Sequence, residues 1–191
     1  MVARPVLVSA APPEDSDEEL FGRFRDRRDV RALSELYDRY ETPLVTFAAR
    51  MLGASGDDVL QETWIRAMQH AREWSPEAPM RAWLFRIARN LCLDVLRSRG
   101  VALDAASDAR LAEPEGSFDY PLSDPLFLEI MEKAVLTLPP AQREVVLLRV
   151  EGLGFTEISR ITAVGVNTLK SRMNQARKTL SAVLAERGYG A

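Results

Sequence analysis

Phe155-Thr156-Glu157-Ile158-Ser159-Arg160-Ile161-Thr162, then Ala163-Val164-Gly165, then Val166-Asn167-Thr168-Leu169-Lys170-Ser171-Arg172-Met173 is the stretch on which the reading of this chain turns. A short apolar helix, a three-residue connection and a second helix rich in small polar and cationic side chains form the pattern that lays a helix in a DNA major groove. The second helix is predicted to run from 166 to 187. Leu169, Met173, Ala176, Leu180, Val183 and Leu184 form its apolar stripe, and Asn167, Ser171, Asn174, Gln175 and Lys178 occupy the other side, flanked by Lys170 and Arg177. Asn and Gln pair bidentately with adenine, Lys meets guanine or phosphate, and Ser meets either, so this side is a candidate reading surface. Two further helices, at 126–136 and 140–150, complete a small domain over 125–187.

Upstream, residues 101–124 carry scattered acids, Ala, Gly, Ser and Pro with no sustained period and read as a flexible linker. Extended, it spans about 80 Å, or about two turns of duplex. Residues 17–100 are helical by periodicity: Leu20, Phe24, Ala32, Leu33, Leu36, Tyr37 and Tyr40 recur at threes and fours. Pro43 is placed in the opening turn of a helix that Gly53 ends. Asp57 and Asp58 start another, reaching Trp74. Ser75-Pro76-Glu77-Ala78-Pro79 is a loop, because two prolines so close cannot continue a helix. A regular helix follows from Met80 to Arg99. Leu84, Ile87, Ala88, Leu91, Val95 and Leu96 are its core stripe, with Arg86, Asn90, Leu93 and Arg97 opposite. Residues 1–16 form a small, proline-bearing arm without periodicity, expected to be disordered. The expected fold is all-α, two small helical domains joined by a flexible acidic linker.

The formal net charge of -3 and pI near 5.4 conceal a strong segregation of charge. Residues 81–100 hold five Arg against Asp94, and 166–187 hold five Lys or Arg against Glu186, each a local +4. Residues 101–134 hold eight acids and two bases, a local -6. Two basic surfaces separated by an acidic connector suit a polyanion partner. The single cysteine, Cys92, excludes an internal disulfide and reads as a packed core thiol, and the single histidine, His70, falls near a helix end. No metal-ligand spacing, phosphate-binding loop or nucleophile elbow occurs, so catalysis, cofactors and metals are not expected. The lack of a signal sequence or apolar span points to a cytoplasmic protein with no membrane insertion.

Three blocks together resemble the extracytoplasmic-function class of bacterial RNA polymerase sigma factors, of the sigma-70 family. They are Asp57-Asp58-Val59-Leu60-Gln61-Glu62-Thr63-Trp64, Trp83-Leu84-Phe85-Arg86-Ile87-Ala88-Arg89-Asn90-Leu91-Cys92-Leu93-Asp94, and the run from Leu138-Pro139-Pro140 through Glu151-Gly152-Leu153 to Thr168-Leu169-Lys170-Ser171-Arg172. The similarity covers about Asp17 to Leu184. It implies a sigma region 2 bundle over 17–100 and a region 4 helix-turn-helix over 125–187. Asp58, Leu60, Gln61, Glu62 and Trp64 would dock on core polymerase, whose beta and beta-prime subunits are the implied partners. Arg86, Asn90 and Arg97 would meet the minus-10 promoter DNA, Asn90 near a pocket for an extruded base. Thr168, Lys170, Ser171, Asn174, Gln175 and Lys178 would meet the minus-35 duplex. A cognate anti-sigma factor and control by a stress or envelope signal are further implications.

Ala163 and Asn167 stand where the family commonly has Gly, and Gly165 where a capping Ser is frequent, so the turn or the helix entry is expected to shift. A stand-alone helix-turn-helix regulator is the alternative, with the first half as a sensing or dimerisation domain. That half has no need of a basic face beside a proline loop. A small enzyme is the remote third reading.

Overall fold

A computed structural model of the chain describes residues 15–102 and 124–189. The described residues form eight α-helices and one 3-10 turn, with no strand among them. The arm 1–14 and most of the linker, 103–123, lie outside the described residues, and so do the expectations made of them.

Four helices build the first half: α1 (Asp17–Arg27), α2 (Val30–Leu52), α3 (Asp57–Gln69) and α4 (Met80–Ser98). Ser16 caps α1 through the Glu19 backbone N–H, and the Glu19 carboxylate returns the bond to the Ser16 N–H. The chain then breaks where periodicity runs on: Arg28 adopts φ 55, and Asp29 accepts from the Arg31 and Ala32 N–H groups to start α2. Pro43 opens no helix; it lies inside α2. The ring forfeits one backbone bond, and the burial of Tyr40, Leu44 and Phe47 on both sides of it keeps the helix continuous. The helix begun at Asp57 stops at Gln69 rather than Trp74, and Ala71–Glu73 is a separate 3-10 turn. Gly56 permits the close approach of α3 to α2, since a Cβ there would stand 2.4 Å from the Val45 carbonyl oxygen.

The second half consists of α5 (Pro125–Thr137), α6 (Pro140–Val150), α7 (Phe155–Thr162) and α8 (Val166–Glu186). Asp124 caps α5 through the Leu126 N–H, and Glu157 reaches back to the Gly154 N–H at 2.7 Å to fix the start of α7. Ala163 takes the left-handed conformation (φ 58), and Gly165 enters α8 with ordinary extended geometry. The expected shift of the turn does not occur. The backbone keeps the left-handed corner, and Ala occupies it at a cost of about 1 kcal/mol.

The two halves share one continuous apolar core, with α5 and α6 against α2 and α7 against α4. Leu93, expected on the open side of α4, is buried at 7% exposure. The reason is that α4 carries a second apolar edge, Phe85 with Leu93 and Leu96, turned away from the Leu84, Ala88 and Leu91 stripe.

Candidate nucleic-acid interface

Trp74 and Trp83 anchor the loop that precedes α4. Phe21 of α1 meets Trp74 edge-on and Trp83 at a tilt, each at 5.3 Å, and Arg25 lies over the Trp74 ring. The Trp74 indole N–H donates to the Ala78 carbonyl at 3.1 Å, closing the loop on itself. Pro79 offers α4 no side-chain cap, and Glu18 of α1 accepts from the Met80 N–H at 2.9 Å instead. The loop is thus rigid at both ends. Beside it lies a cleft of about 320 Å³, walled by Ser75, Ala78, Pro79, Trp83 and Arg86 on one side and by Glu157, Arg160 and Ile161 of α7 on the other.

Arg86, Asn90 and Arg97 are all exposed and form one stripe running from this cleft along α4. Arg97 pairs with Asp94 at 2.7 Å, and the Asn90 side-chain oxygen accepts from Arg89 at 3.1 Å. Arg89 itself is largely buried and bonds the Glu144 carboxylate of α6. Sequence reasoning passed over Arg89. Its place one residue from Asn90 was visible, but its partner lies 55 positions away.

On α8, Thr168 and Lys178 are exposed, and Lys170 and Gln175 are half-buried. Ser171 and Asn174 are buried, at 8% and 6% exposure, so in this conformation they are not open as the sequence pattern suggested. Gln175 accepts from the Gln142 amide at 3.2 Å, and the Asn174 amide nitrogen meets no partner among the described residues. Cys92 is fully buried, and burial pushes its thiol up to about 12, beyond the range of a reactive thiol. His70 ends α3 and pairs with Glu73 at 2.8 Å.

The second candidate surface is the seam of α2 and α3. A cleft of about 590 Å³ is lined by Val30, Leu33, Tyr37, Leu60, Trp64, Ile65 and Met68, with Glu41, Asp57 and Gln61 supplying polar groups. Of the residues singled out from sequence, Asp58 and Gln61 are exposed, Glu62 pairs with Arg66 at 2.8 Å, and Leu60 and Trp64 are at most 5% exposed. Trp64 packs against Tyr37 at 5.6 Å. Val30 and Met68, exposed at 69% and 36%, were missed; each is an apolar side chain off the core stripe, which was the available signal.

Residues 36–101 match the family model for sigma-70 region 2, and residues 128–180 match that for sigma-70 region 4. A sigma factor of the extracytoplasmic-function (ECF) group from Mycobacterium tuberculosis, SigL, is 33% identical, covering 80% of this chain and 89% of its own length. The chain belongs to the ECF RNA polymerase sigma factors. CnrH of Cupriavidus metallidurans, an RNA polymerase sigma factor, is 30% identical over 90% of this chain and 96% of its own. A solved structure of CnrH in complex with the cytosolic domain of CnrY superimposes with a TM-score of 0.67 at 28% identity, covering 90% of this chain. The sigma factor RpoE bound to the anti-sigma factor NepR from Bartonella quintana gives 0.56 at 25% identity, covering 79%. As a sigma factor the chain directs promoter recognition at transcription initiation, with core RNA polymerase and promoter DNA as partners. The loop before α4 and the α4 stripe fall inside the region 2 match, and α7 and α8 up to Leu180 inside the region 4 match. No described helix is long and apolar enough to cross a membrane.

Proposed function

We propose that residues 17–100 dock on core polymerase and open the minus-10 element, while residues 125–187 anchor the minus-35 duplex. The observation that carries this division is the rigid loop 75–79 beside the exposed Arg86, Asn90 and Arg97 stripe. Capturing a base outside the stack costs a few kcal/mol, so it needs a fixed pocket with cations beside it to hold the strand. The α2–α3 cleft, apolar with Glu41 and Asp57 in its lining and Asp58 and Glu62 elsewhere on α3, suits a basic coiled-coil partner of the beta-prime subunit. Asp58, Leu60, Gln61, Glu62 and Trp64 belong to this surface, Leu60 and Trp64 by shaping its floor. Thr168, Lys170, Ser171, Asn174, Gln175 and Lys178 form the duplex-reading set, of which Thr168 and Lys178 are exposed and Ser171 and Asn174 are buried.

The chain acts in the cytoplasm as a non-enzymatic initiation factor released by a stress or envelope signal. Two of the matched solved structures are sigma factors in complex with a partner, CnrY or NepR, which supports a cognate anti-sigma factor here. Asn90→Ala with the full holoenzyme tests the minus-10 assignment. Permanganate reactivity of promoter thymines is expected to fall about tenfold or more while closed-complex binding stays within about twofold, the scale set by a single base-reading side chain. Equal loss of binding and opening would remove Asn90 from the base pocket.

A further inference from the structure

The corner between α1 and α2 carries five arginines in nine residues: Arg23, Arg25, Arg27, Arg28 and Arg31. The acids around it are already engaged. Arg23 holds Asp15 at 2.6 Å and Asp29 at 3.1 Å, Arg25 takes Asp26 at 2.7 Å, and Glu35, one turn beyond Arg31, pairs with Arg39. Arg27, Arg28 and Arg31 are exposed and form no ion pair among the described residues. Arg28 also occupies the left-handed position itself, at φ 55, with its N–H on the Phe24 carbonyl oxygen at 2.9 Å. Glycine or asparagine holds that geometry more readily, so an arginine stands there against its own backbone preference. Its guanidinium lies over the Phe24 ring at 5.5 Å, which fixes its plane and leaves its N–H edges for an anion. Arg25 ties the cluster to the loop before α4, lying over the Trp74 ring and donating to the Trp74 carbonyl at 3.4 Å. Arg28 follows three residues later, about 4.5 Å along the axis at 1.5 Å per residue.

We propose that Arg27, Arg28 and Arg31 form a second, phosphate-binding site for the opened promoter strand, on the downstream side of loop 75–79. The proposal rests on the reading of the α4 stripe as the minus-10 surface. Chain order sets the polarity. From the loop, α4 leads past Arg86, Asn90 and Arg97 into the segment that joins the minus-35 domain, so its Arg97 end faces upstream and the loop faces downstream. A strand held near Asn90 passes the loop and meets the α1–α2 corner next. Residues 23–31 offer no amide side chain, and their one aromatic ring, Phe24, is buried, so the corner grips the backbone and reads no sequence. Val30 in the same corner lines the α2–α3 cleft, which makes a polymerase surface the competing occupant. That cleft presents Glu41 and Asp57 and suits a basic partner, which a row of arginines repels. The strand backbone is the occupant that the charges favour.

Holoenzyme assembled from core polymerase and the full-length chain is compared with holoenzyme carrying the triple variant Arg27→Gln, Arg28→Gln, Arg31→Gln. The probes are two fork DNAs built on a start site recovered by run-off transcription. In one the non-template strand stops at the minus-10 element, and in the other it runs about ten nucleotides further, within the usual reach of a strand-binding groove. On the short fork the two proteins are expected to bind alike. On the long fork the slope of log affinity against log salt is expected to be steeper for wild type by about 2, the sum of about 0.7 for each of three phosphates. Arg28→Gly separates binding from folding, because it relieves the left-handed strain. It is expected to keep its helical circular dichroism and urea midpoint while the long-fork slope falls by about 0.7. Equal slopes for wild type and triple variant on the long fork would overturn the proposal. A folded triple variant that fails to join core would also overturn it, by placing the arginines on polymerase. Should the triple variant unfold, Arg28→Gly decides alone, and an unchanged slope overturns the site. If wild-type holoenzyme binds neither fork, the minus-10 reading falls and takes the proposal with it; if it binds both and only the slope difference is missing, the proposal falls alone.

Discussion

Ala163 shows how much of a turn one residue can carry. Its φ of 58 is the left-handed corner that ends α7, and its N–H reaches back to the Ser159 carbonyl at 2.9 Å. The side chain is exposed, so nothing but its own backbone sterics opposes the conformation. Ala163→Gly is therefore expected to stabilise the chain by about 1 kcal/mol, read as a higher midpoint in urea with unchanged slope. A lower midpoint would mean that the corner is not left-handed. The sequence flagged this position because Ala stood where a turn wanted Gly. It had no means of showing that the backbone would hold its geometry and Ala would bear the strain. Glu144 was illegible for a different reason. A Glu within Arg143-Glu144-Val145-Val146 reads as one more surface charge, and only the approach of Arg89 from another domain makes it a buried one.

At the scale of elements, helices with strong caps and clean stripes were read closely. Phe155–Thr162 and Pro140–Val150 stand where periodicity and proline placed them. Periodicity failed where two effects compete. The spacing of Leu20, Phe24, Ala32 and Leu36 fits one long helix, yet the Arg28-Asp29 corner and the Asp29 cap divide it. Pro43 fits a helix start, yet burial on either side of it overrides the missing hydrogen bond. On α8 the periodic assignment of a buried and an open side was correct for Leu169, Ala176, Leu180 and Leu184, whereas Ser171 and Asn174 are buried as well. The function proposed for this helix has a direct electrostatic consequence. Lys170→Ala is expected to weaken minus-35 duplex binding and to lower the slope of log affinity against log salt by about 1, the signature of removing one cation from a phosphate. An unchanged slope would assign Lys170 to base contact or to packing within the domain.

For the molecule as a whole, the acidic and basic segregation that net charge concealed has two outlets. Toward promoter DNA, the proposed surfaces are Arg86 and Arg97 beside Asn90 in the first domain and α8 in the second. Toward each other, the domains pair Glu132, Glu144 and Glu151 with Arg50, Arg89 and Arg81. The two sets of arginines are distinct, and the set proposed for DNA stays exposed while the domains are packed. The two-domain division was legible from motif order and from the acidic stretch between the halves. Their packing was not, because long-range neighbours such as α4 and α7 leave no local period in a sequence. The central claim is that one chain reads two promoter elements on behalf of core polymerase, and run-off transcription tests it most directly. Core enzyme with this chain and a genomic promoter library is expected to yield transcripts from a discrete set of start sites that core enzyme alone does not give. The absence of any stimulated transcript would contradict the account.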